Sequence, residues 1–139
     1  MNDDLYQRAI VDLARDASRA GTLDPAGASV TRDNPLCGDR VTMTASLAAD
    51  GTVAEIRHRT RGCLLCEAAA ALVAANAGAL DRDRAQAAQA GMRAYLRGEA
   101  AQPPWPGAEA FAPVRSRKSR HDCVTLAFDA LAGLFDARS

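Results

Sequence analysis

The residues from Val41 to Thr60, VTMTASLAADGTVAEIRHRT, are the part of the chain that most clearly predicts its fold. Up to Leu47, apolar residues alternate with threonine and serine, which is the period of a β-strand with one buried face. The dipeptide Asp50-Gly51 predicts a tight turn, and a second strand resumes from Val53. We therefore predict a β-hairpin that packs one face on a hydrophobic core.

The segments on both sides of this hairpin have the period of helices. Before it, apolar residues from Leu5 to Ala17 lie on one helical face, with Asp3 or Asp4 as the N-cap and Gly21 as the stop. After it, three helices are predicted. The first two are Cys63–Leu80 and about Asp83–Arg97. The last follows the loop AQPPWPG, starts at Cys123 and has its apolar stripe from Val124 to Phe135. This order predicts an α+β fold, with an N-terminal helix, a small antiparallel sheet and several helices packed on it.

The composition limits the class of protein. A length of 139 residues predicts a single domain, 1–139. Because aromatic residues are only 4% of the chain and alanine is abundant, the core should consist mainly of small side chains. Lys plus Arg and Asp plus Glu number 17 each, so no global positive field predicts nucleic acid or an anionic membrane as a partner. The basic cluster Arg115–Arg120, RSRKSR, is local and fits either a solvated loop or a docking patch for an acidic partner.

The chemical role of the four cysteines depends on the cellular compartment in which the protein is found. The N-terminus has no apolar signal core and no stretch reaches membrane-spanning length, which predicts a cytoplasmic protein. Thiols are usually reduced in the cytosol, so the four cysteines are better explained as metal ligands, nucleophiles or buried thiols than as two disulfides.

Three of these cysteines fall at predicted element boundaries. In NPLCGDR (Asn34–Arg40), proline and glycine oppose regular structure, so Cys37 and Asp39 should project from one loop, as in a metal site or around a nucleophile. Cys63 and Cys123 begin predicted helices, where unpaired N–H groups and the helix dipole favour the thiolate. Spacing alone leaves the choice open, because one C-x-x-C and two scattered cysteines do not match a paired zinc-knuckle pattern.

Three separated motifs, NPLCGDR, RGCLLCEAAAAL and HDCVTLAFDAL, together resemble the U-type iron-sulfur cluster scaffold family: IscU, SufU and the NifU N-terminal domain. The opening LYQRAIVDLARDASRAGTL resembles that family's first helix, so the similarity extends over nearly the whole chain. The resemblance implies an α+β scaffold in which Cys37, Asp39, Cys63 and Cys123 surround a shallow site. The long interval between Cys63 and Cys123 is more similar to the SufU branch.

This resemblance also implies a function, a cofactor and partners. It implies a scaffold for a transient [2Fe–2S] cluster, or a Zn²⁺-binding acceptor of persulfide sulfur from a cysteine desulfurase. Apo iron-sulfur proteins would accept the cluster, and Cys123 and Cys37 are the candidate persulfide acceptors. A scaffold or sulfur carrier is implied rather than a turnover enzyme. The alternatives are a zinc sulfurtransferase that builds no cluster and a binding module with a structural zinc.

Asp39 has two interpretations. A carboxylate is a harder ligand than a thiolate for a cluster iron, so Asp39 would make the site labile and help it to hand its cargo on. Alternatively, Asp39 caps the turn Cys-Gly-Asp through backbone N–H groups of that turn.

The chain departs from the family pattern at several positions. Directly before the last cysteine, where IscU-like members have histidine and SufU-like members lysine, stands Asp122, preceded by His121. Asp122 is either an extra ligand or a first-turn acid that favours the helix N-terminus. The chaperone-recognition segment LPPVK of IscU members is replaced by PVRSRKSR (Pro113–Arg120), so no Hsp70-type partner is predicted. His58, where the family usually has an aromatic residue, is predicted to be a partly buried, hydrogen-bonded strand histidine.

Cys66 is a further departure, because family members more often have serine there. Three residues after Cys63, it lies on the same helical face and could join the site as a ligand. Alternatively, it is a small buried residue of an alanine-rich helix. A thioredoxin-like redox pair needs a βαβ pattern that the sequence lacks.

Overall fold

The structure is a computed structural model that describes residues 3–136, with side chains from Arg8 onward. Its helices and strands, in chain order, are α1 (Asp3–Arg15), β1 (Ala28–Asn34), β2 (Asp39–Leu47), β3 (Val53–Arg61), α2 (Leu64–Asn76), α3 (Arg82–Leu96) and α4 (His121–Gly133). Short 3-10 helices occupy Ala108–Ser116, Lys118–Arg120 and Leu134–Asp136. This order confirms the predicted α+β fold. Within the described residues, no helix is long and apolar enough to cross a membrane.

The sheet has three antiparallel strands in the order β1-β2-β3. Strands β2 and β3 are the predicted hairpin, with Val41 opposite Thr60 and Ala45 opposite Ile56. The sequence pattern does not predict β1. Only Ala28 and the next inward residue, Val30, are buried in that strand, so its alternation is too short to recognise.

One face of the hairpin packs on the core as predicted, through Val41, Met43 and Ala45. The other face is not uniformly solvated, because Thr44 is also buried. Its hydroxyl oxygen accepts a hydrogen bond of 2.9 Å from the backbone N–H of Leu23. The segment that follows α1 therefore covers part of the face that alternation predicts to be exposed.

Helix α2 lies at the centre of the helical layer, in contact with α1, α4 and β3. Its alanines are buried on nearly all sides, from Ala68 to Ala74, because small side chains let neighbouring helices approach closely. The prediction of a core of small side chains is confirmed for this helix. Larger residues fill the rest of the core: Met43, Met92, Phe111 and Phe128.

The predicted helix boundaries differ from the observed ones by a few residues. Helix α1 ends at Arg15, and Ile10 is its fully buried residue among those with described side chains. The predicted caps Asp3 and Asp4, and the apolar residues Leu5 and Tyr6, lie outside the described side chains. Helix α2 ends at Asn76 rather than Leu80, and α4 begins two residues before the predicted start at Cys123.

His58 ties the segment after α1 to strand β3. Its backbone N–H donates to the carbonyl of Arg19 over 2.9 Å, and its carbonyl accepts from the N–H of Gly21 over 2.8 Å. The side chain is only 8% exposed. Nδ1 lies 3.5 Å from the Thr60 hydroxyl, whereas Nε2 is buried and has no hydrogen-bond partner within the described residues. Burial is thus as predicted, but hydrogen bonding reaches only one ring nitrogen.

We expect His58→Phe to stabilise the fold, and to do so more strongly in acid. Burial lowers the pKa of His58 below its ordinary value of 6.5. The unfolded chain therefore takes up a proton first as the pH falls, and stability is lost from about pH 6.5 down to the lowered folded pKa. Removing the unpartnered nitrogen should raise the free energy of unfolding by about 1 kcal/mol near pH 8.

Urea unfolding of the His58→Phe variant and of the unaltered chain, near pH 8 and near pH 5.5, measures both effects. A variant that gains less in acid than at the higher pH would contradict a neutral, unpartnered imidazole.

Candidate metal centre

Cys37 and Asp39 are positioned by the turn between β1 and β2. Asn34 closes this turn, because its carbonyl accepts from the N–H of Gly38 over 2.8 Å and its side-chain oxygen accepts from the N–H of Leu36 over 3.1 Å. Gly38 has a φ of +75°, in the left-handed region that glycine tolerates best. The local sequence therefore shapes the loop that presents the first thiol.

Cys63 and Cys123 reach the same place from other elements. Cys63 is the N-cap residue of α2, two residues after the end of β3, and Cys123 lies in the first turn of α4. Since Arg40 pairs with Arg61 across the hairpin, the start of β2 adjoins the end of β3. Helix α4 packs against β1, β2 and α2. Three segments that are distant in sequence thus meet at one end of the sheet.

Asp39 is the centre of the cluster. The Cys37 thiol donates to its Oδ2 over 3.1 Å, and the Cys63 Sγ lies 3.7 Å from the same oxygen. The backbone N–H of Cys63 donates to Oδ1 over 3.1 Å. The ligand atoms of Cys37, Asp39 and Cys123 all lie within 4.8 Å of one another. Cys63 is outside that compact group of three and joins it through Asp39.

The Asp39 carboxylate is buried without a cation. It is only 3% exposed, and no lysine or arginine of the described residues forms an ion pair with it. A buried, unpaired carboxylate is costly, and a metal cation among the thiols would supply the missing charge. Three sulfur donors and one oxygen donor fit a tetrahedral Zn²⁺ site or thiolate-bound iron. That these residues bind a metal stays a prediction.

Asp39 does not cap its own turn. Its hydrogen-bonding partners among the described residues are the thiols of Cys37 and Cys63 and the N–H of Cys63, across the sheet edge. The turn-capping alternative is therefore wrong, because no backbone N–H of that turn donates a hydrogen bond to the carboxylate.

Burial, more than the helix N-terminus, sets the state of the Cys123 thiol. Burial first, and then the neighbouring Cys63, raise the pKa of Cys123 above its ordinary value. Burial therefore opposes the thiolate that the helix N-terminus is predicted to favour at this residue. A cysteine must lose its proton to bind a metal, so metal uptake here should release protons.

Cys66 lies inside the core rather than at the rim of the site. It is fully buried, and burial raises the pKa of its thiol to about 12. Cys66 does not belong to the group of ligand atoms that lie within 4.8 Å of one another, and unlike Cys63 it has no hydrogen bond to Asp39 among the described residues. The structure therefore favours the interpretation of Cys66 as a small packing residue.

The two residues before Cys123 lie outside the group of candidate ligand atoms among the described residues. The His121 Nε2 lies 3.0 Å from the Val114 carbonyl and 3.2 Å from that of Arg115, which fastens α4 to the preceding 3-10 helix. Asp122 is exposed, and neither residue belongs to the group of candidate ligands among the described residues.

The sequence interpretation misses three residues at this site. A Cβ atom at Gly62 would lie 2.5 Å from the Asp39 Oδ1 and 2.9 Å from its Cγ, so the site needs glycine here. Leu36 is 91% exposed and Leu64 45% exposed, each next to a candidate ligand in the sequence. Their positions beside the cysteines are visible in the sequence, but their exposure is not.

We expect Gly62→Ala to weaken metal binding by about 10–100-fold, as is typical when a residue that only orients a ligand is lost. The added methyl group would displace the Asp39 carboxylate. Competition titration with Co²⁺ or Zn²⁺ measures the effect. Gly78→Ala is the matched control, because a Cβ at Gly78 meets no atom within 4 Å. Equal affinities in the two variants would contradict the requirement for space beside Asp39.

The chain matches the family described as NifU-like N terminal domain over residues 5–102. This range includes Cys37, Asp39 and Cys63 and ends before Cys123. Among curated proteins, none matches significantly.

Solved structures share the whole fold. The NifU-like protein (N-terminal) from Brucella abortus is 31% identical, with a TM-score of 0.86 over 96% of this chain and 94% of that chain. A hypothetical protein is 25% identical, with a TM-score of 0.85 over 97% of this chain and 99% of that chain. A candidate iron-sulfur cluster assembly scaffold protein for the SUF system, from the thermophile Fervidobacterium islandicum AW-1, is 16% identical and shares the fold, with a TM-score of 0.86 over 97% and 99%.

Proposed function

The chain belongs to the family of NifU-like N-terminal domains, and from that membership we propose that it is an iron-sulfur cluster assembly protein. Its cargo is a nascent [2Fe–2S] cluster held by Cys37, Asp39, Cys63 and Cys123. The observation that carries this proposal is a buried carboxylate that lacks a cationic partner within the described residues and lies among three thiols.

The four side chains have different roles toward the cargo. The three thiols lose their protons and provide the sulfur ligands that cluster iron prefers. The Asp39 Oδ1 accepts the N–H of Cys63, which leaves Oδ2, beside the thiols, as the donor atom. A carboxylate oxygen matches cluster iron less well than a thiolate. Asp39 therefore closes the site weakly enough for the cargo to be handed to an apo iron-sulfur protein.

Sulfur enters from a cysteine desulfurase at Cys37, which is exposed, whereas Cys123 is buried. The Cys37 thiolate attacks the outer sulfur of the partner's persulfide, the partner's S–S bond breaks, and its thiolate leaves and is protonated. Cys37 then carries the persulfide, with no net oxidation. The exposed leucines, Leu36 and Leu64, offer the partner an apolar contact on either side of the thiols.

A zinc-dependent sulfur relay is the competing function. The same three sulfurs and one oxygen suit a tetrahedral Zn²⁺, and Asp39 would be the ligand that gives way to the incoming sulfur. Such a protein would pass sulfur on without building a cluster.

Anaerobic reconstitution separates the two functions. The protein as purified is incubated with iron, cysteine and a cysteine desulfurase, first without and then with a thiol that reduces persulfide sulfur to sulfide, and its visible spectrum is recorded. A scaffold should develop thiolate-to-iron absorption that stays with the protein on gel filtration. Persulfide on the protein without any such absorption, and with zinc retained, would overturn the scaffold in favour of the relay.

We expect Asp39→Ala to slow the transfer of a bound cluster to an apo-ferredoxin by about tenfold, because the variant loses its labile ligand. Transfer is followed from the circular dichroism of the acceptor. Asp33→Ala is the control, since Asp33 lies on the neighbouring strand and is exposed in an ion pair with Arg40. Faster release from the Asp39 variant than from this control would overturn the role given to the carboxylate.

A further inference from the structure

A cleft lined in part by Asp122, which directly precedes Cys123 in the chain, concentrates positive charge in a chain whose net charge is zero. It lies between the end of α3 and the start of α4 and has a volume of about 500 Å³. Its charged lining residues are Arg93, Arg97, Glu99, Arg115, Lys118 and Asp122. Arg117 and Arg120 stand exposed on the same 117–120 stretch. We call the cleft with these two arginines the basic cleft.

The walls of the basic cleft are held in place by contacts of their own. The Arg115 guanidinium donates to the carbonyls of Tyr95 (2.8 Å) and Ala100 (3.2 Å) and stacks over the Tyr95 ring at 4.6 Å. His121 fastens the start of α4 to the carbonyls of residues 114 and 115. The cleft is therefore formed before any partner arrives, which reduces the cost of binding.

Most cations of the basic cleft are free to meet a partner. Arg93 pairs with Asp129 over 2.7 Å, and Arg115 is engaged with backbone carbonyls. The other four are exposed and form no ion pair with any described carboxylate: Arg97, Arg117, Lys118 and Arg120. Such a local excess of one charge creates a field that attracts the opposite charge.

We propose that the basic cleft docks an acidic segment, rich in Asp and Glu, of the protein that exchanges sulfur or cluster with this site. This inference rests on the proposed function, because it names the chemistry of a partner for the same site. Arg120 is the N-cap of α4, and Cys123 lies in the first turn of that helix. A segment bound in the basic cleft would hold its protein about one helical turn from a candidate ligand.

A protein segment suits the basic cleft better than a nucleic acid. The cations are confined to one end of α3 and one short stretch, and the rest of the chain offers no net positive charge to follow a phosphate backbone. The aromatic ring at the cleft, that of Tyr95, is buried beneath Arg115, so no base can stack on it.

A fluorescein-labelled octaglutamate peptide is the probe, and fluorescence anisotropy at low ionic strength measures its affinity. We expect the double variant Arg97→Glu/Lys118→Glu to bind it at least about tenfold more weakly than the unaltered chain, with the difference shrinking as salt is added. The control, Arg8→Glu/Arg84→Glu, makes the same change of net charge at exposed residues elsewhere and should change the affinity by less than about twofold.

Three outcomes would overturn the proposal. The unaltered chain could fail to bind octaglutamate, the two double variants could lose affinity equally, or a DNA duplex could bind more tightly than the peptide and be lost in the same variant. Reconstitution from ferrous salt and sulfide alone, without a protein partner, should proceed equally in the cleft variant. If that reaction fails in the unaltered chain, the proposed function fails while the peptide result still stands.

Discussion

Cys123→Ser should remove the bound metal or cluster almost completely, whereas Cys66→Ser should leave it in place. Cys123 is one of three candidate ligands whose donor atoms lie within 4.8 Å of one another, and serine is a poor substitute for a soft thiolate. The loss of affinity should exceed the roughly 10–100-fold that is typical for a residue that only orients a ligand. Metal content per chain and persulfide occupancy, measured by mass spectrometry, check the result.

Cys66→Ser is the matched control, because the same atom is exchanged one helical turn after Cys63. Cys66 is fully buried, so its new hydroxyl should cost about 1–2 kcal/mol of unfolding free energy while metal binding persists. Equal metal loss in both variants would make Cys66 a member of the site. Metal retained in both would remove Cys123 from it.

The hairpin and the long helices are predictable from the sequence because their signals are local. The alternation from Val41 to Leu47, the helix-forming alanines of α2 and the helical period of α3 depend only on neighbouring residues. Strand β1 is not predictable in this way, since its residues from Thr31 to Asp33 are exposed. It is a strand only because β2 pairs with it. The hydrogen bonds to β2 stabilise a strand that the pattern of its own residues does not predict.

The site is predictable as a set of residues but not as a geometry. The candidate ligands are identified by three motifs and by the resemblance of these motifs to a family. Spacing alone leaves both a metal site and a nucleophile open. The contact of Asp39 with the N–H of Cys63 joins residues from two strand ends, and the space for it depends on Gly62. The raised pKa of Cys123 likewise depends on burial, which a helix position does not reveal.

The site has an inner and an outer side, which suits an exchange of cargo. Cys37 is exposed beside the protruding Leu36, whereas Cys123 is buried against the core. Asp39 lies between them, with its Oδ2 bonded to the exposed thiol. We therefore expect a partner to meet the exposed thiol first, and the buried thiol to keep hold of the cargo while the outer ligands exchange.

Removing the metal should lower the stability of the whole domain by several kcal/mol. The candidate ligands come from three distant segments: the turn before β2, the N-cap of α2 and the first turn of α4. Structural zinc sites in small peptides supply about 10–16 kcal/mol of apparent binding free energy, and whole domains are stable by about 5–15 kcal/mol. Losing even a fraction of this metal-binding free energy should therefore lower the melting temperature by about 10 °C. Thermal unfolding before and after chelation, with metal content verified, measures this shift.

The Cys123→Ser variant provides the control for chelation, because a chain that holds no metal should melt at the same temperature with and without chelator. The metal-free chain also retains the buried Asp39 carboxylate without a cation, so its instability should be concentrated where that charge lies. Hydrogen exchange should then quicken at the turn between β1 and β2 and at the start of α4, and remain slow in the middle of α2. An unchanged melt after complete metal removal would mean that these segments are held together by packing alone, and that the thiols and the carboxylate do not share a metal ion.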